Sequence, residues 1–371
     1  MTASGAAIII VTEDITFGAS DMINAKISNK TLLGLKGVKL IQNNDSGILG
    51  LSSSSTNVII RNLIFEGPGA YDMDGNDLLS NKGCIDLWVD HCEFYDGLDG
   101  NFDNTNSSDN ISISWCKFGY NKPARAGGSG GSADHRFTNL VSGSKTDAPS
   151  DGRRSITFHY CYWTSGCKQR MPRARNADLH LLNCLNDSPD ASPVLGLGGG
   201  SKGLDCYVEG CVFENIKSLY SSYNSSDGGT HTLAYVDCSS SKTMSNVGTA
   251  PKPSYSYAAL PKEEVKEAVK GACGAGATLN VTTEGLVSSP CGLTALNNLP
   301  QEEWQIHQTV NEFVVTGIKV KKIILYDLSG KKLRSGNDSQ SIDVSALSKG
   351  FYILSIRSED NRKLSKKTIK R

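Results

Sequence analysis

The fold of this chain is decided by residues 87–94, which read LWVDHCEF, because the same pattern returns along the chain. Residues 57–65 (NVIIRNLIF) and 111–118 (ISISWCKF) are also apolar strands that end in an aromatic residue and lead into a polar turn. The closing aromatic residues are 29 and then 24 residues apart. Strands that return with a period in the twenties indicate a solenoid, and the leucine-rich consensus is absent. We therefore predict an all-β protein built on a right-handed parallel β-helix.

Three further strands continue the pattern at residues 156–163, 179–184 and 206–213. The gap from Phe118 to Trp163 is 45 residues, and it holds a Gly/Ser-rich loop at 126–133, so it reads as one coil plus an insertion. Coils of a β-helix stack like residues on one another, which gives the repeated cysteine and aromatic positions a packing role. A β-sandwich with irregular loops is the alternative fold.

Composition supports a turn-rich β protein rather than a helical bundle, since glycine (38 residues) is abundant in a chain of 371 and aromatic residues are few. The eleven cysteines include no Cys-x-x-Cys pair, which argues against zinc, and most lie in apolar strands. We expect mostly free core thiols with one or two disulfides. No apolar run is long enough to span a membrane, and zero net charge argues against nucleic acid as a partner.

The chain divides into a β-helical domain at 1–300, a linker at 301–309 and a small β-sandwich at 310–371. Within the first domain, residues 261–272 (PKEEVKEAVKGA) predict a helix, because proline begins it, glutamates come early and lysines late. Short, regularly spaced strands predict the sandwich. Its basic end, residues 363–371, reads by itself as a solvated tail.

Charge is separated along the β-helical part of the chain. Residues 72–109 contain ten acidic residues and one lysine, whereas residues 122–175 contain ten lysines or arginines and three aspartates. Clustered carboxylates suit a hard cation such as calcium, and clustered guanidinium and ammonium groups suit a polyanion. The pattern predicts a metal and an acidic polymer as partners.

The acidic centre lies at Asp99 and Asp103, which would be about 13 Å apart on an ideal strand. Gly100 permits the bend that would bring both to one ion. A second acidic turn at 71–77 comes one coil earlier, so stacking would make the two turns neighbours. The alternative is a polar turn in which aspartates cap backbone amides.

The basic centre is the stretch 170–175 (RMPRAR), in which Pro172 excludes a regular central strand. Lys122 and Arg136 lie near the Gly-rich insertion, which lacks the ending of a phosphate loop. A solvated basic loop is the alternative. His91 lies in an apolar strand, where a ladder histidine is expected rather than a catalytic one.

Four motifs in this order, at 88–92 (WVDHC), 99–103 (DGNFD), 113–118 (ISWCKF) and 170–175 (RMPRAR), resemble the pectate lyase family of parallel β-helix polysaccharide lyases. The resemblance spans about residues 39–213. It implies a calcium-dependent enzyme that cleaves α-1,4-linked polygalacturonate by β-elimination. An arginine that acts as base must first lose its own proton, which implies an alkaline working pH.

The resemblance also assigns roles to residues. Arg170 would remove the C5 proton, and the Ca²⁺ ligands would be Asp99 and Asp103 with either Asp77 or Asp74. Substrate carboxylates would be bound by Arg175, with Arg173 beside it. The family places a lysine on the strand that follows the Trp-Cys-x-Phe coil, and none stands there in this chain, so Arg136 or Lys122 would replace it.

The C-terminal segment resembles the sorting domain of the type IX secretion system of Bacteroidota, through residues 326–331 (YDLSGK), 342–344 (IDV) and 350–352 (GFY). It implies a secreted or cell-surface protein that meets the secretion machinery, and we expect a monomer. Residues 1–5 have no signal-like start, so either the protein is not exported or a leader has been removed. A carbohydrate-binding module is the alternative for this segment. For the whole chain, the alternatives are a polygalacturonase-like hydrolase and a non-catalytic β-helix that binds acidic glycan.

Overall fold

The computed structural model describes residues 1, 4–19, 21–150, 152–291, 304–327, 331–359 and 363–370. The chain forms two compact units, residues 1–292 and 293–371. No helix among the described residues has the length and apolarity to cross a membrane.

The described part of the first unit is a solenoid of three parallel sheets with nine, nine and eight strands. Each coil adds one strand to each sheet, so neighbours within a sheet are three strands apart in sequence. The predicted parallel β-helix is thereby confirmed.

The first sheet contains β1 (Ala7–Val11), β4 (Ser28–Gly34), β7 (Thr56–Arg61), β10 (Ile85–Asp90), β13 (Asp109–Ser114), β16 (Arg154–His159), β19 (Ala177–Leu182), β22 (Leu204–Glu209) and β25 (His231–Val236). The second contains β2 (Ile15–Phe17), β5 (Lys39–Gln42), β8 (Ile64–Glu66), β11 (Glu93–Tyr95), β14 (Lys117–Gly119), β17 (Tyr162–Trp163), β20 (Leu185–Asp187), β23 (Val212–Glu214) and β26 (Ser239–Ser240). The third contains β3 (Ile23–Ala25), β6 (Leu49–Leu51), β9 (Leu79–Lys82), β12 (Phe102–Thr105), β15 (Leu140–Val141), β18 (Arg173–Ala174), β21 (Leu195–Leu197) and β24 (Tyr220–Ser222).

The aromatic residues that close the sequence repeat form a stack inside the solenoid. Phe94 pairs in register with Phe65 and Phe118, and Phe118 pairs with Trp163. Their ring centroids are 4.8, 5.2 and 5.5 Å apart along the stack, and all four side chains are fully buried. Such offset stacks combine a large buried apolar area with favourable ring geometry. The predicted stacking of like on like is confirmed, and the 45-residue gap is one coil with an insertion.

Cysteine thiols form a second ladder beside the rings. Each donates to a backbone carbonyl of the preceding coil, as in Cys116 Sγ to Val89 O at 3.6 Å and Cys161 Sγ to Ile113 O at 3.3 Å. In the described residues nine cysteines are free and Cys273–Cys291 is a disulfide, which agrees with the expectation of mostly free core thiols. The ladder consists of Cys92, Cys116, Cys161, Cys184, Cys211 and Cys238.

One residue with a left-handed backbone precedes each of these cysteines and bends the chain from the first sheet to the second. His91, Trp115 and Tyr160 adopt φ values of 48°, 51° and 53°. This conformation costs an L residue about 1–2 kcal/mol, so it needs a compensating contact. The Trp115 ring stacks on Tyr160 at 4.2 Å and on His91 at 5.8 Å, which supplies one. His91 is therefore a ladder residue, as predicted.

Within the described residues of this unit, two helices and a long insertion are added to the solenoid. Helix α1 (Asn224–Asp227) is a single turn, and α2 (Lys262–Lys270) falls inside the range predicted for a helix. A small antiparallel ribbon joins β27 (Asn280–Val281) and β28 (Val287–Ser288). The insertion, residues 120–139, forms no regular strand among its described residues. It contacts the acidic turn at 71–77, where Gly130 N donates to Asp72 O at 3.2 Å.

The second unit consists of antiparallel sheets around one apolar core, which includes Trp304, Phe313 and Ile323. The core therefore begins before residue 310, and a strand occupies part of the range predicted as linker, whose residues 301–303 lie outside the described residues. Residues 363–370 of the basic end form a strand that pairs with residues 350–357, and they are not a solvated tail. The strands are β29 (Gln305–Gln308), β30 (Glu312–Thr316), β31 (Val320–Tyr326), β32 (Lys332–Asn337), β33 (Ser341–Asp343), β34 (Gly350–Ser358) and β35 (Lys363–Lys370).

Candidate active site

A cleft of about 1080 Å³ lies along the third sheet, between β9 and the end of β24. The insertion contributes Ser129, Gly130 and His135 to its lining, and the coil of β24 contributes Tyr223. The acidic and basic blocks of the sequence, which are separate along the chain, meet here. Its charged lining residues are Asp72, Asp74, Asp77, Lys82, Asp99, Asp103, Arg170, Arg173, Arg175 and Asp227.

Three buried aspartates form one end of the cleft, which we call the acidic end: Asp77, Asp99 and Asp103. Asp77 and Asp99 occupy the turns before β9 and β12, and Asp103 lies within β12. Stacking makes the two acidic turns neighbours, as predicted, because Gly75 N donates to Asp99 Oδ2 at 3.0 Å. The chain bends at residues 98–99 and again at 101, so Asp99 and Asp103 do not lie on one continuous strand.

Gly100 lies between two of these carboxylates. A Cβ at this position would be 2.7 Å from Asp77 Oδ1 and 3.1 Å from Asp103 Oδ1, so both oxygens face the same small space. Asp103 Oδ1 accepts from Leu140 N at 2.8 Å, and Asp77 Oδ2 accepts from Ser80 Oγ at 2.7 Å. Asp77 Oδ1 is buried and has no hydrogen-bond partner among the described residues. A buried oxygen without a partner is costly, so this end of the cleft suits an additional positive ligand.

The raised pKa values of the aspartates at the acidic end also indicate a site that suits a cation. Burial, and then the charge of Asp99, raise the pKa of Asp77 to about 6. Burial and the charge of Asp77 raise the pKa of Asp103 well above its usual value, and Arg170 opposes the shift. Like charges held together in a buried site disfavour ionisation unless a cation joins them. The available donors are carboxylate oxygens, which suit Ca²⁺, and buried Asp77 fits this group better than exposed Asp74.

Arg170 faces this group. Its Nη1 lies 3.9 Å from Asp103 Oδ2, and its guanidinium carbon lies 4.8 Å from the centroid of the Phe137 ring. The backbone is anchored, since Arg170 O accepts from Asn139 N at 2.7 Å and from the Thr138 hydroxyl. Arg170 has a positive φ of 63°, a conformation that is uncommon for a side chain of this size. The anchored backbone and the contact between the guanidinium and the Phe137 ring hold the Arg170 side chain in the cleft.

Arg173 and Arg175 form the opposite end, which we call the basic end. Both approach one buried carboxylate, Asp227, with the Arg173 Nη2 bonded to Asp227 Oδ2 and the Arg175 Nε at 3.2 Å from it. The Arg173 guanidinium also lies 4.0 Å from the Tyr223 ring centroid. Sequence reasoning missed Asp227, which comes 52 residues after Arg175 and carries no motif of its own.

The structure does not bring the other two predicted cations into the cleft. Lys122 Nζ donates to Gly67 O at 2.6 Å. Arg136 forms ion pairs with Asp134 and Asp190 at 2.7 and 2.8 Å, and these bonds raise the pKa of Arg136 and lower that of Asp134 to about 2. Both cations have structural partners instead.

Comparison with known proteins agrees with the geometry. Residues 17–278, which cover more than half of the chain, match the family model described as pectate lyase. The chain belongs to the pectate lyase family. Residues 305–371 match a second family model, described as a secretion system C-terminal sorting domain. Both resemblances found in the sequence are thereby confirmed.

Among curated relatives of this pectate lyase domain, the pectate trisaccharide-lyase of Thermotoga maritima is 32% identical over 192 residues, which is 49% of this chain and 46% of the relative. Pectate lyase B of Paenibacillus amylolyticus is 25% identical over 216 residues, 44% of this chain and 53% of the relative. The chain thus spans about half the length of the curated relatives it matches.

Solved structures of pectate lyases share the fold. The thermostable pectate lyase PL 47 superposes with a TM-score of 0.54 at 20% identity, over 74% of this chain and 86% of that one. The pectate lyase of Bacillus sp. N165, solved with trigalacturonate, gives a TM-score of 0.53 at 20% identity, over 73% and 85%.

The pectate lyase domain also contains a buried histidine that sequence reasoning did not place in the site. His135, from the insertion, has Nε2 at 3.2 Å from Asp99 Oδ1 and Nδ1 at 3.2 Å from Asp72 Oδ1. These distances suit ion pairs when the ring is protonated, although the bond angles are not those of hydrogen bonds. His135 therefore joins the insertion to the acidic end. Its position just before β15 was visible in the sequence, but its partners depend on how the insertion packs.

Proposed function

We propose that this chain is a calcium-dependent pectate lyase that cleaves α-1,4-linked polygalacturonate by β-elimination, with Arg170 as the base. The observation that carries the proposal is the arrangement of Arg170 against Asp103, beside Asp77 and Asp99, in one cleft of a pectate lyase family β-helix. An arginine directed at three buried carboxylates is a poor structural ion pair, because its one contact is with Asp103 at 3.9 Å and, among the described residues, Asp77 has no ion-pair partner. The same arrangement suits a site in which a metal and an acidic substrate complete the charge balance.

Asp77, Asp99 and Asp103 would hold the Ca²⁺, and Asp74 is the weaker candidate. When bound, the ion would neutralise a substrate carboxylate and stabilise the negative charge that develops as the adjacent C5–H bond breaks. The buried carboxylates would hold the ion in a fixed position, so they would not need to reorganise during the reaction.

Arg170 would accept the C5 proton. The electron pair of the C5–H bond then forms the C4–C5 double bond, the C4–O4 bond breaks, and the leaving oxygen ends with a proton, so no water is consumed. The guanidinium must be neutral before it can accept a proton. Turnover should therefore rise with pH.

The basic end would bind the acidic polymer. Arg175 donates to Ser142 O through Nη1, and its Nη2 has no hydrogen-bond partner among the described residues, which leaves N–H groups for a carboxylate. Arg173 is buried and committed to Asp227, so its contribution would be mainly electrostatic and structural.

The test is incubation of the full chain with polygalacturonate, with calcium or with a chelator, while the ultraviolet absorbance of unsaturated ends is followed. Absorbance that appears with calcium and is lost in chelator supports the proposal. New reducing ends without absorbance would favour a hydrolase that uses paired carboxylates. Binding without any cleavage would favour a glycan-binding protein.

We further propose that residues 305–371 direct export through a type IX secretion system, which would make the protein secreted or cell-surface. A carbohydrate-binding module is the competing interpretation, but this segment has few aromatic side chains on which sugars could stack. Full and shortened chains, the latter ending at residue 300, should be expressed in a Bacteroidota host with the same leader. Retention of the shortened chain inside the cell supports sorting, whereas equal export with weaker polymer binding would favour the module.

A further inference from the structure

One cation in the cleft has no assigned role. Lys82 lies at the end of β9, half-buried, and lines the cleft together with the three arginines. Arg170 has Asp103 within ion-pair distance, and Arg173 and Arg175 share Asp227. Within the described parts of the chain, Lys82 forms no ion pair, and its only side-chain hydrogen bond is a long one, from Nζ to Gly75 O at 3.4 Å.

Strand geometry places Lys82 on the floor of the cleft. Lys82 pairs in register with Thr105 of β12, and Ser80, two residues earlier, pairs with Asp103. Successive side chains of a strand point to opposite faces, so Ser80 and Lys82 share the face that carries Asp103 and Thr105. Thr105 also lines the cleft, which agrees with this orientation.

Lys82 and Arg175 lie towards opposite ends of the cleft. β9 and β18 are separated by β12 and β15 in the third sheet, so their strands are about 14 Å apart at the usual spacing between neighbours. Asp103, on β12, falls between them in strand order, whereas Asp77 shares the coil of Lys82 and Arg170 shares the coil of Arg175. A polymer with a carboxylate on every sugar, laid across these strands, would meet a cation at each end of the stretch that contains Asp103 and Arg170.

We propose that Lys82 binds a carboxylate of the acidic polymer, on the β9 side of the cleft and away from Arg175, and makes the enzyme prefer free uronate carboxylates over methyl esters. This inference rests on the proposed function and adds a specificity residue to it. An ammonium without a carboxylate partner offers its three N–H groups to a substrate, whereas a methyl ester removes the charge that it would pair with. The competing explanation is that Lys82 only offsets the negative charge of Asp77 and its neighbours.

The experiment compares wild type with Lys82→Gln, Lys82→Arg and the control Lys242→Gln, an exposed lysine outside the cleft lining. KM and kcat are measured at saturating calcium on polygalacturonate and on the same polymer partly methyl-esterified. Lys82→Gln should raise KM for polygalacturonate about tenfold, with kcat nearly unchanged, because one charge-assisted contact is lost. The esterified polymer should be affected much less, Lys82→Arg should behave nearly as wild type, and Lys242→Gln should have no effect.

Two further measurements separate the explanations. Calcium affinity should be unchanged in Lys82→Gln, and a loss of affinity that accounts for the rise in KM would overturn the inference. Equal effects on both polymers, or no effect, would also overturn it. Binding of oligogalacturonate is measured in an Arg170→Lys background as well, with and without Lys82→Gln. If wild type forms no unsaturated product, the lyase proposal fails, and weaker oligogalacturonate binding with Lys82→Gln would still support Lys82 as a carboxylate-binding residue.

Discussion

The two ends of the cleft solve the problem of buried charge in opposite ways. At the basic end, Arg173 and Arg175 share Asp227, so one of the two positive charges is balanced within the protein and the other is left for an anionic polymer. At the acidic end, three carboxylates face one long contact with Arg170 and one imidazole, and Asp77 Oδ1 has no hydrogen-bond partner among the described residues. The basic end therefore suits an anion, whereas the acidic end suits a cation. Changes at the two ends should therefore differ in kind as well as in size.

The largest effect should come from Arg170→Lys. Lysine keeps the charge but not the planar guanidinium or its reach past Phe137, so proton removal should slow by about a thousandfold or more. Polygalacturonate affinity should change by less than about threefold, because the basic end supplies most of the binding. Initial rates measure the turnover, and direct binding measures the affinity for polygalacturonate. Near-normal turnover would assign the base to another residue. The acidic end would then no longer be distinguished from the basic end as the place of the reaction.

Asp227→Asn should have the next largest effect, and it tests how far Asp227 stabilises and orients the basic end. Arg173 would keep its bonds to Ala174 O and Gly196 O but lose its buried counter-charge. We expect the free energy of unfolding to fall by about 3 kcal/mol, with a higher KM because Arg175 is no longer oriented. The matched control is Asp45→Asn, whose carboxylate pairs with Arg125 at the surface and should contribute less than about 1 kcal/mol. Equal effects in denaturant titrations would show that Asp227 is an ordinary ion-pair partner.

The acidic end should make the calcium-free protein sensitive to pH. The pKa of Asp77 is about 6 in the folded protein and 3.8 ordinarily, so between these values the folded state keeps a proton that the unfolded chain has released. Stability of the calcium-free protein should therefore fall as the pH rises from about 4 to 6, by up to about 3 kcal/mol. Asp77→Asn should flatten this dependence, and calcium should offset the loss at higher pH.

Thermal unfolding in chelator across this range measures the effect. Asp134→Asn is the control, because the pKa of Asp134 is about 2 in the folded protein and its titration falls below the window. A slope that survives Asp77→Asn would mean that the carboxylates of the acidic end are not the source of the pH dependence.

Features that repeat along the chain could be predicted from the sequence, whereas features that depend on single contacts could not. The aromatic and cysteine ladders repeat once per coil, so each coil predicts its neighbour, and the acidic turns become adjacent for the same reason. Asp227 and His135 were missed because their positions depend on other contacts. Asp227 lies on a one-turn helix two coils beyond Arg175, and His135 lies on an insertion whose path is set by what it packs against. Periodicity carries no information about either.

The smallest effect should come from the two cations that the sequence suggested for the cleft and the structure leaves outside it. Lys122→Gln removes a bond to Gly67 O, and Arg136→Gln removes two partly exposed ion pairs. Each should lower stability by about 1 kcal/mol or less and change KM for polygalacturonate by less than about twofold. Steady-state kinetics beside Lys82→Gln provides the comparison. A rise in KM with Arg136→Gln as large as with Lys82→Gln would mean that substrate binding extends beyond the cleft onto the insertion, and the division into a basic and an acidic end would then be too simple.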